Sequence, residues 1–141
     1  MTLTKKWMFG LGTVAFGMGC VEKDSPSVLP FTVQVQLEGS EKSLLAGNSI
    51  EAAHAENDQI RAFGSIDRDG NAHLETYYRG KLIGGAQPGN YQIRIILNDD
   101  DPEARKKALK VIPAKFFQFK TSGLKIQIPS DTPPVLKLPS R

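Results

Sequence analysis

Cysteine occurs once in the 141 residues, tryptophan once and histidine twice. A single thiol can close no internal disulfide and supplies no cysteine-rich zinc site, so an exported fold must be held by its hydrophobic core alone. Charge of one sign is also scarce: 18 Lys and Arg stand against 15 Asp and Glu, a formal net charge of +3. The basic residues are spread along the chain with acidic ones between them. No basic stripe with interleaved aromatics forms, which argues against a nucleic-acid partner. Long apolar runs are missing too. The longest candidate, Trp7 to Gly19, meets Glu22, Lys23 and Asp24 before it reaches the roughly 20 residues that a spanning helix needs.

That short segment is informative by its position. Lys5 and Lys6 form a positive n-region, and an uncharged stretch rich in Phe, Met, Val and Gly follows and runs into Cys20. Gly17-Met18-Gly19-Cys20 resembles the lipobox of a bacterial lipoprotein signal, with Gly17 at the place where such boxes usually carry Leu. The resemblance implies removal of residues 1–19, lipidation of Cys20 as the mature N-terminus, and a domain anchored to a bacterial membrane in the cell envelope, facing the periplasm or exterior. One acyl chain holds a protein to a bilayer only marginally, so anchoring requires the two or three chains that such processing installs. The competing readings of Cys20 are an ordinary secretory signal cut elsewhere and a buried free thiol. Cleavage at Cys20 would leave 122 residues (141 minus 19), enough for one domain, with a charge near +1 once Lys5 and Lys6 are gone.

Residues 20–30 hold Glu, Lys, Asp, two Ser and two Pro, a composition expected to form a flexible tether. The domain is expected to span residues 31–141. Phe31, Val33, Val35 and Leu37 alternate with polar neighbours, the period of a strand with one dry face. Asn48 to Ala55 gives a weaker strand signal because its alanines also suit a helix. Ile60 to Ile66, the turn Asp67-Arg68-Asp69-Gly70, and Ala72, Leu74 and Thr76 read as one hairpin. Gly80 to Asn90, with four glycines and a proline, reads as an irregular loop. Tyr91 to Leu97 is a strong strand, ended by Asn98-Asp99-Asp100-Asp101-Pro102, and Glu103 to Val111 suits a turn or two of helix that Pro113 stops. Leu124 to Ile128 and Val135 to Leu138 complete six or seven short strands. Their number and period predict an all-β sandwich.

Four segments in this order resemble the small transthyretin-like, or carboxypeptidase-regulatory-like, lipoproteins of planctomycete bacteria. They are Asp67-Arg68-Asp69-Gly70, Gln87-Pro88-Gly89-Asn90-Tyr91, Ile112-Pro113-Ala114-Lys115-Phe116 and Thr121-Ser122-Gly123-Leu124. The likeness runs over residues 31 to 139. It departs at Ala72, where that family usually has an aromatic, and in the first strand, which lacks the common G-x-V opening. The resemblance implies a seven-stranded Greek-key β-sandwich of transthyretin-like or Ig-like form on a lipid anchor, without enzymatic activity or cofactor. It supplies no catalytic residue.

Other chemistry has weaker support. Tyr78-Arg79-Gly80 is similar to the Y-R-G-S signature of a transthyretin-related hydroxyisourate hydrolase, but it lies mid-chain rather than at the terminus, and His54 and His73 lack a motif with a nucleophile or partner carboxylate. Asp67, Asp69, Asp99, Asp100 and Asp101 could offer oxygens to Ca²⁺, yet solvated turns explain them, and two histidines alone do not hold zinc. Phe116, Phe117 and Phe119 with Tyr77 and Tyr78 would either pack in the core or line a groove for a glycan or peptide. An extended segment would put Phe117 and Phe119 on one face. The expectation is a non-catalytic envelope module making protein or envelope-polymer contacts through loops at the sandwich ends, with a carbohydrate- or small-ligand-binding module as the alternative.

Overall fold

The computed structural model describes residues 26–141. The expected signal peptide, the Cys20 lipidation site and the first half of the tether lie outside the described residues. Among the described residues nine strands form: β1 (Thr32–Leu37), β2 (Ser49–His54), β3 (Arg61–Ser65), β4 (Asn71–His73), β5 (Glu75–Tyr78), β6 (Lys81–Gly84), β7 (Gly89–Ile96), β8 (Leu124–Ile128) and β9 (Val135–Leu138). Two α-helices, α1 (Pro102–Val111) and α2 (Phe119–Ser122), and 3-10 turns at Lys42–Leu45 and Ala114–Phe117 join them. The strands make two sheets, β4-β1-β9 and β6-β5-β3-β2-β7-β8. The architecture is mostly β and sandwich-like.

Alternation in β1 buries Val33, Val35 and Leu37, which stand opposite Ala72 of β4 and Leu136 and Leu138 of the parallel strand β9. The inner face of the larger sheet offers Ile50, Ala52, Ala62, Tyr91, Ile93, Ile95 and Ile126, and these join the β1 side chains in one core. Each fully buried Val, Leu or Ile contributes about 1.5–3 kcal/mol relative to exposure, which is what closes the two layers on each other. Ala108 of α1, Ile112 and Phe116 complete the same core.

The expected hairpin forms and then divides. Asp67 Oδ1 accepts from the backbone N–H of Asp69 and Asn71, both at 2.9 Å. Gly70 takes φ +85° and accepts the Val35 N–H at 2.7 Å, so close to β1 that a Cβ there would stand 2.6 Å from the Val35 oxygen. After this turn β4 pairs with β1, but beyond the buried Leu74 the chain changes layers and β5 pairs with β3, Ala62 opposite Thr76. The turn docked on β1 holds β4 in the smaller sheet, and the bend at Leu74 returns the chain to the larger one.

Two local expectations are corrected. Gly80 to Asn90 is not all loop, because β6 returns along β5 with Tyr77 opposite Leu82 and Tyr78 opposite Lys81. The two-residue turn has positive φ at both Arg79 (50°) and Gly80 (80°), the geometry that matches strand twist. Helix α1 has ten residues, more than a turn or two, because Asp101 accepts from the N–H of Glu103 and Ala104 and Pro102 occupies the first helical position. The Phe116 to Phe119 segment coils through a 3-10 turn into α2. Ahead of β1, Leu29 and Ala86 exchange both backbone hydrogen bonds at 2.9 Å, so the last residues before Phe31 are docked on the fold.

Candidate functional site

Glu51 lies in the middle of the larger sheet and is 5 % exposed. On β2 it faces away from the core, directly opposite Arg94 of β7, while Arg61 of β3 pairs with Ala53, two residues further along the same face. A charged carboxylate buried there is costly unless both oxygens are paired. Both are. Arg61 Nη1 donates to Oε1 at 2.5 Å, and Arg94 donates to Oε2 from Nε at 2.6 Å and Nη2 at 2.5 Å. Arg61 also gives its Nε–H to the Asp58 carbonyl at 2.6 Å.

The segment from the 3-10 turn at Ala114 through α2 to Ser122 crosses the outer face of this sheet and covers the group. Ser122 Oγ donates to the Ile93 carbonyl at 2.5 Å and accepts the Leu124 N–H, which ties the end of α2 to β7 and β8. Gly123 ends the helix at φ +70°. Thus held, Phe119 packs with its ring centroid 5.0 Å from the guanidinium carbons of both Arg61 and Arg94. Cation–π contacts of this kind are worth about 0.5–2 kcal/mol each, more as water is excluded. The two arginine side chains remain 35 % and 37 % exposed, so their outer edges meet solvent.

Beside them is a hollow of about 390 Å³. Arg61, Gln92 and Arg94 of the sheet form one wall, and Gln118, Phe119 and Lys120 of the crossing segment form the other, with Asp58 and His54 at the side. His54 is fixed by its neighbours. Its Nδ1 accepts the Glu56 N–H at 3.1 Å, so Nε2 carries the proton and donates to the Pro88 carbonyl at 3.3 Å. The ring meets Tyr91 edge-on at 5.1 Å. Tyr91 is buried on the core side and donates to the Gln87 carbonyl at 2.8 Å, and burial pushes its phenol above the usual value.

The residues singled out from sequence are dispersed. His54 stands on β2 of the larger sheet, whereas His73 stands on β4 of the smaller one and bonds Thr32 Oγ1 at 2.7 Å. Tyr78-Arg79-Gly80 is the tip of the β5–β6 hairpin, with the Arg79 guanidinium 5.1 Å from the Tyr78 ring. Asp67 closes its own turn, Asp99 pairs with Arg105, and Asp101 caps α1. Among the described residues no three His, Cys, Asp or Glu gather as metal ligands. Phe116 is core at 3 % exposure, Phe117 is half-buried, and Phe119 alone of the three reaches the hollow. Sequence reasoning missed Glu51, Arg61 and Arg94, because no local pattern around Glu51 shows which strands will lie beside it. No protein-family model, curated protein or solved structure matches the chain.

Proposed function

We propose that this chain is a non-catalytic β-sandwich module, tethered to a bacterial membrane through lipid on Cys20, that contacts an envelope polymer or protein. The observation that carries the contact reading is the hollow beside Phe119, where two arginines held by a buried carboxylate keep outer edges open to solvent. Rigid, pre-positioned donors beside an aromatic ring suit recognition, because the cost of ordering them is met on folding rather than on binding. In this reading the contact surface is the outer face of the larger sheet, where the notable donors lie, alongside the loops at the sandwich ends.

The nine strands described exceed the seven expected of the Greek-key, transthyretin-like form, which this reading keeps by taking β4 and β5 as one strand that changes layers and β6 as an added edge strand on β5. The non-catalytic reading is supported by how the titratable side chains are used: His54, His73, Asp67 and Asp101 each hold a turn, a strand pair or a helix cap. The hydrolase alternative needs convergent polar groups around a histidine, and Tyr78-Arg79-Gly80 serves as a hairpin turn.

The test is twofold. Membrane-extracted protein should have the mass of a chain beginning at an acylated Cys20; an unmodified soluble chain sinks the anchor. Cross-linking in cells should capture an envelope polymer or protein with the native form. Capture of nothing by either the native form or a secreted Cys20→Ala form sinks the contact module.

A further inference from the structure

The Arg61–Glu51–Arg94 cluster uses both arginines to pair the two oxygens of Glu51, yet carries one positive charge more than that carboxylate neutralises. One guanidinium neutralises one carboxylate, and a second adds a surplus charge. Around the whole hollow the tally is three cations, Arg61, Arg94 and Lys120, against the two carboxylates of Glu51 and Asp58. The balance is a single positive charge. It also has directed donors: each guanidinium carries five N–H groups, and two on each are committed to Glu51 or the Asp58 carbonyl. Three on each arginine are uncommitted among the described residues, on side chains more than a third exposed.

We infer that this hollow binds one oxyanion group, a carboxylate or a phosphodiester, carried on a hydroxyl-bearing envelope polymer. The inference deepens the contact reading and rests on it for the identity of the polymer, though not for the anion site. Guanidinium forks match the paired oxygens of carboxylate and phosphate, and charge assistance roughly doubles the strength of each hydrogen bond. Glu51 and the Phe119 ring hold both forks in place, so the anion need not order them. Gln92 and Gln118 stand on the same walls, where amide groups can exchange hydrogen bonds with hydroxyls next to the anion. A neutral sugar would satisfy the glutamines and leave the surplus charge unanswered.

The test is nitrogen–proton NMR on the full chain in a neutral polyoxyethylene detergent, titrated separately with D-glucuronate, glycerophosphoglycerol and, as neutral control, glucose. The expected result is saturable, millimolar, salt-weakened shifts at the Arg61 and Arg94 guanidinium Nη–H groups and the Gln92 amide with one or both anions, and none with glucose. The stronger anion identifies the polymer chemistry. Lys120→Ala should weaken binding about threefold through lost charge. Arg61→Lys, which keeps the charge and loses the fork, should weaken it at least about tenfold; Lys137→Ala, on β9 of the smaller sheet, should leave it unchanged. Equal shifts with glucose, no shifts with either anion, or undiminished binding by a folded Arg61→Lys variant would overturn the inference. Anion binding in the tube with no partner captured in cells would count against the contact module and leave the site standing.

Discussion

Replacing Arg94 by alanine asks what the buried acid costs once half of its support is gone. The substitution removes the 2.6 and 2.5 Å contacts to Glu51 Oε2 and leaves that oxygen unpaired in a side chain 6 % exposed. Breaking a buried pair from one side costs about 3–5 kcal/mol, and because Arg94 itself is 37 % exposed, water can enter the space it leaves. The lower end applies, about 3 kcal/mol. A domain of this size changes melting temperature by about 3–5 °C per kcal/mol, so Arg94→Ala should melt about 9–15 °C lower. Glu51→Leu is the informative partner. It removes the charge that needed burying and leaves two arginines that can turn outward into water, for about 1 kcal/mol or less. The double variant Glu51→Leu/Arg94→Ala should then melt above Arg94→Ala alone. Thermal and urea unfolding followed by circular dichroism measure all three. A drop below about 3 °C for Arg94→Ala, or a double variant that loses the sum of the singles, refutes the account of Glu51 as a buried charge that depends on both arginines.

Two further predictions concern the frame around the site. Gly70→Ala forces a Cβ toward the Val35 oxygen at positive φ and should cost at least about 2 kcal/mol, whereas Gly80→Ala at the open tip of the β5–β6 hairpin meets no atom and should cost about 1 kcal/mol; equal urea midpoints would contradict the docking of the first turn on β1. Burial raises the Tyr91 phenol above its usual value of 10.0, so the unfolded chain ionises first and stability should fall as pH rises through and above about 10, until the folded phenol also ionises. Tyr91→Phe should lose about 1 kcal/mol at neutral pH with its hydrogen bond to Gln87 and show a shallower alkaline decline; an unchanged pH profile would show that Tyr91 is not its source.

Strands with one wet face were legible. β1, β3, β7 and β8 alternate in sequence because solvent selects one side of each. β2 gave a weak signal for the opposite reason: with Phe119 and the arginines over one face and the core under the other, Ile50 to Ala53 are buried in succession and the period-2 contrast disappears. β6 was hidden by glycines and by a turn in which Arg79, rather than the usual Asn or Asp, adopts positive φ. The change of layer at Leu74 is set by the docking of Gly70 on β1, a contact across 35 residues that no local pattern carries. The candidate site was illegible for a similar reason. Arg61 and Arg94 come to Glu51 from 10 and 43 residues away, and only the strand order brings them to one carboxylate.

The parallel pairing of β1 with β9 has a mechanical consequence. Hydrogen bonds between strands lie across the strand axis, so a pull on the N-terminal end of β1 loads its ladders to β4 and β9 in shear, many bonds sharing the force at once. The Leu29–Ala86 pair stands ahead of those ladders and takes the load first. A module fastened to a membrane from that end would give up one bonded pair under tension while its sheets stay closed.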